Sequence, residues 1–535
     1  MGFCFCLTPK RLQVLDLSSC FDMRRTPDLS AFTQLKILTL SGCFGLEHLH
    51  PSVGKLKSLV SLDLSECRSL KELPEEVGEL KDLEVLVLDE SSITEIPTSI
   101  GSLRKLKNLS VKGCRSLREI PRSIGDLPDL DHLDLSYCRS LKELPEEVGK
   151  LKDLEELLLN ESGFIEIPTS IGSLRKLKKL SAIACKSLRK IPSSIGDLHN
   201  LQHLDLIGCM SLKELPKEVG ELKDLEVLVL DESGITEIPT SIGSLSKLKT
   251  LNAYKCESLR EIPSSIGDLK NLQFLDISYS RLEKLPNAIG DLSSLQRLEL
   301  RHCDKLRSLP RLSGLIHLEK LRLWGCHLLE DIPELPSRLL KLYIVECRKL
   351  ILLKLDGLKN LEMFSIKRCS SIERLDLSQL ICLKRLCAED CDNLVEIQGL
   401  ENLELLEGIS IDDCNSIERL LCPESTCLKK LVAAWCNNLV EIRGLDGAKF
   451  LEALNVIGCG SMETLPDLNG CERLQYLVVQ DCEKLTQLRG LEKLDLIDLD
   501  ISGCDSLEAI PKLSGTCVFR NYERELSYDS WSDDS

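Results

Sequence analysis

Aromatic side chains are scarce. Three Trp, seven Tyr and ten Phe make up only 4% of 535 residues, so the core has to be aliphatic. Positive charge is also short: 68 Lys and Arg stand against 85 Asp and Glu, a net charge of −17. That argues against a nucleic-acid binder, which neutralises phosphates with a basic stripe. No apolar run reaches the roughly 18 residues of a membrane span. The opening MGFCFCLTPK lacks the apolar stretch and cleavage site of a secretory signal. Gly2 fits an acylation site, but Cys6 stands where that pattern wants Ser or Thr. There is no phosphate-binding loop, no dinucleotide-binding glycine motif, no His-Glu-x-x-His and no Gly-x-Ser-x-Gly. The eight histidines are scattered, and acid pairs such as Glu75-Glu76 read as solvated surface. The expectation is a protein that is not an enzyme and uses no cofactor or metal.

What is abundant is leucine at a fixed spacing. The unit L-x-x-L-x-L-x-x-C recurs 22 times from Leu12 to Cys504, with a mean period of about 23 residues. Alternation around L-x-L predicts a short strand with one buried face. The residues that follow, such as LKELPEEVGEL after Cys67, turn the chain with Pro and Gly and carry more buried leucine. No single repeat can bury that much apolar surface alone, so the repeats must stack. The period is that of a leucine-rich repeat. It implies an α/β repeat solenoid, a horseshoe with about 22 parallel strands on its concave face and short turns or 3-10 segments on its convex face.

The chain divides into a lead-in (1–11), repeats of the IPxSIG type (12–338), shorter repeats with Gly-Leu turns (339–520) and an acidic tail (521–535) expected to be disordered. The two repeat sections read as one solenoid. Residues 59–129, 130–200 and 201–271 are three copies of one 71-residue block. Across them the non-leucine strand positions differ at 11 of 15 sites, whereas 12 of 44 sites outside the strand units differ. Change concentrated on the strands is what diversification for recognition would produce.

Cysteine is plentiful, 26 in all. It fills the ninth repeat position in 18 of 22 units, with Ser91, Ser162, Ser233 and Ser280 in the others. A ladder of thiols one strand apart reads as small apolar packing residues in a reducing compartment, cytosolic or nuclear. The pairs Cys382/Cys387 and Cys422/Cys427 lie in different repeat registers and have no nearby His, which reads as packing and not as a zinc site.

All seven Tyr and Trp of the repeat body fall at non-leucine positions of the strand unit: Tyr137, Tyr254, Tyr279, Trp324, Tyr343, Trp435 and Tyr476. Such rings supply interface anchors, although aromatics also favour strands for their own sake. Around the later rings stand Arg297, Arg301, Lys320, Arg322, Lys367 and Arg368. These thirteen residues are the candidate protein-binding face, a basic and aromatic patch suited to an acidic surface.

Near the start, Thr26-Pro27-Asp28-Leu29-Ser30 and His50-Pro51-Ser52-Val53-Gly54 resemble the opening repeats of plant intracellular disease resistance receptors of the TIR–NB-ARC–leucine-rich-repeat class. The recurring GCxSLxxLP and IPxSIGxL phrases are similar to the same class. The TIR and nucleotide-binding domains are absent from this sequence. The resemblance implies a recognition module of plant innate immunity. Its partner would be a pathogen effector, a guarded host protein, or TIR and NB-ARC domains in trans. The alternative is a general intracellular scaffold for signalling proteins.

Overall fold

The computed structural model describes residues 11–423 and 427–509. Most of the lead-in (Gly2, Cys4 and Cys6 included), Cys517 and the acidic tail lie outside the described residues. The chain separates into two compact units, one of residues 1–281 with 286–293, the other of residues 282–285 with 294–535.

The first unit carries twelve parallel strands, from Val14–Asp16 to Phe274–Asp276. Each strand pairs with that of the next repeat in unchanged register, so that Leu15, Leu38, Leu62 and Leu86 stand side by side. Holding that register puts the motif leucines on one face. Interior leucines such as Leu62, Leu133 and Leu206 are fully buried.

Opposite the strands, eleven 3-10 turns run from Pro51–Lys55 to Asn287–Asp291. Each of the last ten begins after a proline in extended conformation, as at Pro145, whose fixed φ suits the entry. In each turn the N–H of a closing leucine returns to the carbonyl of the buried Val or Ile, as Leu151 does to Val148. The glycine of SIG or EVG serves close approach. In ten successive turns, from Gly54 to Gly267, a Cβ would sit 2.4–2.7 Å from a carbonyl oxygen of the neighbouring turn.

The phrases that resemble receptor sequences are structural here. Thr26 is buried, and its hydroxyl accepts the His50 N–H at 2.8 Å. Ser52 Oγ accepts the Leu29 N–H at 2.8 Å and lies 2.8 Å from His50 Nδ1. The two motifs clasp neighbouring repeats. Glu75 also has a partner: its carboxylate accepts the Ser99 N–H of the next turn, and Glu146 does the same for Ser170. The acid pairs are therefore in part turn caps and not wholly solvated surface.

The second unit contributes ten parallel strands, from Arg297–Arg301 to Asp498–Asp500. The first five are five residues long instead of three. Its turn side is built differently, with three two-stranded pairs such as Arg374–Asp376 with Glu396–Gln398, and two short 3-10 turns. The SIG phrase is missing from these repeats, and the stacked turns go with it.

All 23 described cysteines are free thiols. Those of the ladder are more than filler. At least sixteen of the 18 donate to the carbonyl of the sixth residue in the preceding unit, at 2.7–3.8 Å, as Cys209 does to Ala182 at 3.1 Å. Ser162 makes the same bond to Leu135 at 2.7 Å. Burial pushes the Cys209 thiol up to about 12 and Cys114 up to about 11, so both remain protonated donors. Cys422 is buried, with its thiol pushed up to about 12, and Cys387 donates to the Glu389 carboxylate at 2.8 Å.

Candidate protein-interaction face

The non-leucine positions of the strand unit are not equivalent. The third, fifth and seventh alternate with the leucines along the strand and its exit. The eighth has left turned away: it has positive φ in all 22 repeats, six times as Gly and sixteen times as another residue. It is a turn residue at the rim, in a region that costs a side chain roughly 1–2 kcal/mol. Tyr137, Tyr279 and Trp435 sit here with φ of 63°, 60° and 57°, as does Arg368. Strand preference therefore cannot account for these three rings.

In the first unit, Tyr254 and Tyr279 meet edge to face at 5.2 Å, and Lys255 lies over both rings at 5.3 and 6.0 Å. Tyr137 stands apart, 36% exposed, under Lys112 at 5.7 Å. In the second unit, Trp324 is 43% exposed and packs beside His302 at 5.9 Å. Tyr343, on the next strand, lies under Arg322 and Lys320 at 5.3 and 5.7 Å, and its hydroxyl donates to Met363 Sδ. Trp435 covers the backbone of Gly458, where a Cβ would meet its ring at 2.2 Å.

The four later rings do not form one cluster. Trp324 and Tyr343 are neighbours, whereas Trp435 lies five repeats beyond Trp324 and Tyr476 two repeats further. At about 4.8 Å per strand, five repeats are roughly 24 Å.

The basic residues also have acidic partners that the pattern had not placed. Glu299 is fully buried, with Arg297 at 2.5 Å, Arg322 at 3.4 Å and Arg301 at 3.6 Å. Lys367 binds Glu389 at 2.7 Å, and Arg368 bridges Glu346 and Asp390 at 2.8 and 3.2 Å. The cation excess is thus confined to the strands around Glu299. Burial first, then Arg322 and Arg297, pushes Lys320 down to about 8.

Several strand-face carboxylates and amides turn out to be structural. Asp63, Asp134 and Asp205 accept the N–H two residues on. Asp89, Asn160 and Asp231, equivalent in the three blocks, accept from the next repeat, at Lys112, Ile183 and Tyr254. Ser110, Ser181 and Asn252 donate to those same side chains. Two of the eleven variable strand sites therefore keep one structural job through each substitution. Asp against Asn, and Ser against Asn, was the signal available in the sequence.

Among the described residues no group of three or more His, Cys, Asp or Glu side chains is placed to hold a metal ion. Among them, too, no helix is long and apolar enough to cross a membrane.

A family model described as leucine-rich repeat region matches residues 13–140 and 122–213. Among solved structures, the chain is similar to a leucine-rich-repeat protein of Leptospira interrogans, with 27% identity over 66% of this chain and 96% of that one and a TM-score of 0.46. It is also similar to the plant peptide hormone receptor RGFR1 in complex with RGF2, at 22% identity, 90% and 86% coverage and a TM-score of 0.45. The Arabidopsis receptor kinase HAESA, in complex with the peptide hormone IDA and the co-receptor SERK1, matches at 21% identity, 89% and 83% coverage and a TM-score of 0.45. The strand register held within each unit, the thiol ladder and this match over residues 13–213 give the chain the leucine-rich-repeat fold.

Proposed function

We propose that this domain is a protein-recognition module of plant innate immunity that reads its partner on the strand face and its rim, inside the cell. The observation that carries the reading is the placement of Tyr137, Tyr279 and Trp435. Each is a partly exposed ring held at positive φ, in a turn where glycine would be easier. Retaining large aromatics there makes physical sense when they act as rigid anchors for a partner. The partner is a pathogen effector, a guarded host protein, or TIR and NB-ARC domains acting in trans, as the resemblance at Thr26–Ser30 and His50–Gly54 implies. The free thiols support a reducing, cytosolic or nuclear setting.

The test is to recover partners by pull-down and repeat the capture with Trp435→Ala and Trp324→Ala, measuring melting temperature alongside. Lost binding with an unchanged melt supports the face. Normal binding by both variants would overturn it.

A further inference from the structure

Three adjacent strands of the second unit place their face positions in register. Arg297, Lys320 and Lys341 form one row, Glu299, Arg322 and Tyr343 the next, and Arg301, Trp324 and Val345 the third. These nine positions hold five cations and one carboxylate. On a chain of net charge −17 this is a local reversal of sign.

The buried carboxylate shows what the grid accepts. Three guanidiniums converge on Glu299 within 3.6 Å. Its Oε1 accepts from Arg297 Nε at 2.5 Å and Arg322 Nη1 at 3.4 Å, which orients those two side chains. Cations gathered at strand spacing repel one another in the uncomplexed protein, and the depressed proton affinity of Lys320 is a symptom of that crowding as well as of burial. An incoming anion relieves the repulsion. Tyr343 lies beneath Arg322 and Lys320 as a flat floor, and half-exposed Trp324 closes one side.

We propose that this grid is a carboxylate-reading subsite that anchors an acidic segment of the partner, with Arg322, Lys320 and Arg297 making the contacts and Glu299 acting as the positioning residue. Arginine forks pair with carboxylates in bidentate fashion, which gives direction as well as charge. Successive cations of the first row are about 4.8 Å apart, so a segment with several Asp or Glu residues engages more than one at a time. The inference rests on the proposed recognition role and gives the partner its chemistry.

The test uses the full chain and a fluorescent peptide of about twelve residues alternating Glu and Ala, with a Gln/Ala peptide as control, read by anisotropy. The expected result is saturable binding of the Glu peptide alone, weakening as salt rises. The double variant Lys320→Gln/Arg322→Gln should lose at least tenfold in affinity without a change in melting temperature. Lys105→Gln, on the turn side, should bind as the unaltered chain does. Glu299→Gln should bind several-fold more weakly, since Arg297 and Arg322 lose the carboxylate that orients them; the double variant decides the matter if this one misfolds. Absence of saturable binding at low salt, or equal binding by the double variant, overturns the subsite. If the peptide fails while Trp324→Ala still abolishes partner capture, the face stands and only its acidic ligand is wrong.

Discussion

The thiol ladder separates two physical accounts of one residue. If the ninth-position cysteine merely fills space, an apolar residue of similar size should replace it best. If it acts as a donor, serine should. Cys209 decides between them. It is fully buried and donates to the Ala182 carbonyl at 3.1 Å. Cys209→Val keeps apolar volume but takes away one of that carbonyl's two donors, leaving the Cys185 N–H at 3.3 Å, at a cost of about 0.5–1.5 kcal/mol. Cys209→Ala adds a small cavity to the same loss. Cys209→Ser loses some apolar burial but keeps the bond, and Ser162 shows that the hydroxyl reaches, at 2.7 Å. Its expected cost is about 1 kcal/mol or less. Urea midpoints of the three variants should therefore rank Ser above Val and Val above Ala. Long repeat arrays need not unfold in one step, so the ranking at one locus is the safer readout. Valine at or above the level of the unaltered chain, with serine lowest, would refute the donor account.

Leu206→Asp places a charge in a fully buried strand position and should destabilise by several kcal/mol, whereas Glu75→Ala, which removes one exposed turn cap, should cost about 0.5–1 kcal/mol; equal melting shifts would contradict the assigned faces. Gly149→Ala would drive a Cβ to 2.5 Å from the Ser170 carbonyl oxygen, and a loss of about 1–3 kcal/mol by thermal melt is expected, where a neutral result would mean the turns are loosely stacked. Burial pushes the Asp412 carboxyl up to about 7, against about 3.9 in an unfolded chain. Between those values the folded chain binds the extra proton, so stability falls as pH rises from about 4 to 7, by at most about 4 kcal/mol. Asp412→Asn should flatten that part of the urea-midpoint profile and gain stability at pH 8; an unchanged slope would sink the assignment.

The repeat was legible because leucine at fixed spacing encodes both strand and register. The 22 strands, the turns after Pro and the burial of the core follow from it without further information. What stayed hidden depends on contacts between repeats. The left-handed eighth position carries no single residue type, since Gly, Glu, Asp and Tyr all occur there, so it looked like ordinary strand face. The donor role of cysteine was visible only in its exchange with Ser91, Ser162, Ser233 and Ser280. The basic patch was partly illusory for a similar reason. Glu389, Glu346 and Asp390 sit on neighbouring repeats about 22 residues away, and pairing across that gap shows only once the strands are in register. Nothing in the linear pattern placed Glu299 beneath three arginines.

The central claim is that a protein partner is read on the strand face and its rim. Amide hydrogen exchange on the complex with a partner recovered by pull-down tests it most directly. The account predicts added protection along Arg297–Arg301, Lys320–Trp324 and Lys341–Val345 and at the rim turn bearing Trp435, with the 3-10 turns from Pro51–Lys55 to Asn287–Asp291 unchanged. Protection confined to those 3-10 turns, with the strand face exchanging as in the free protein, would contradict it.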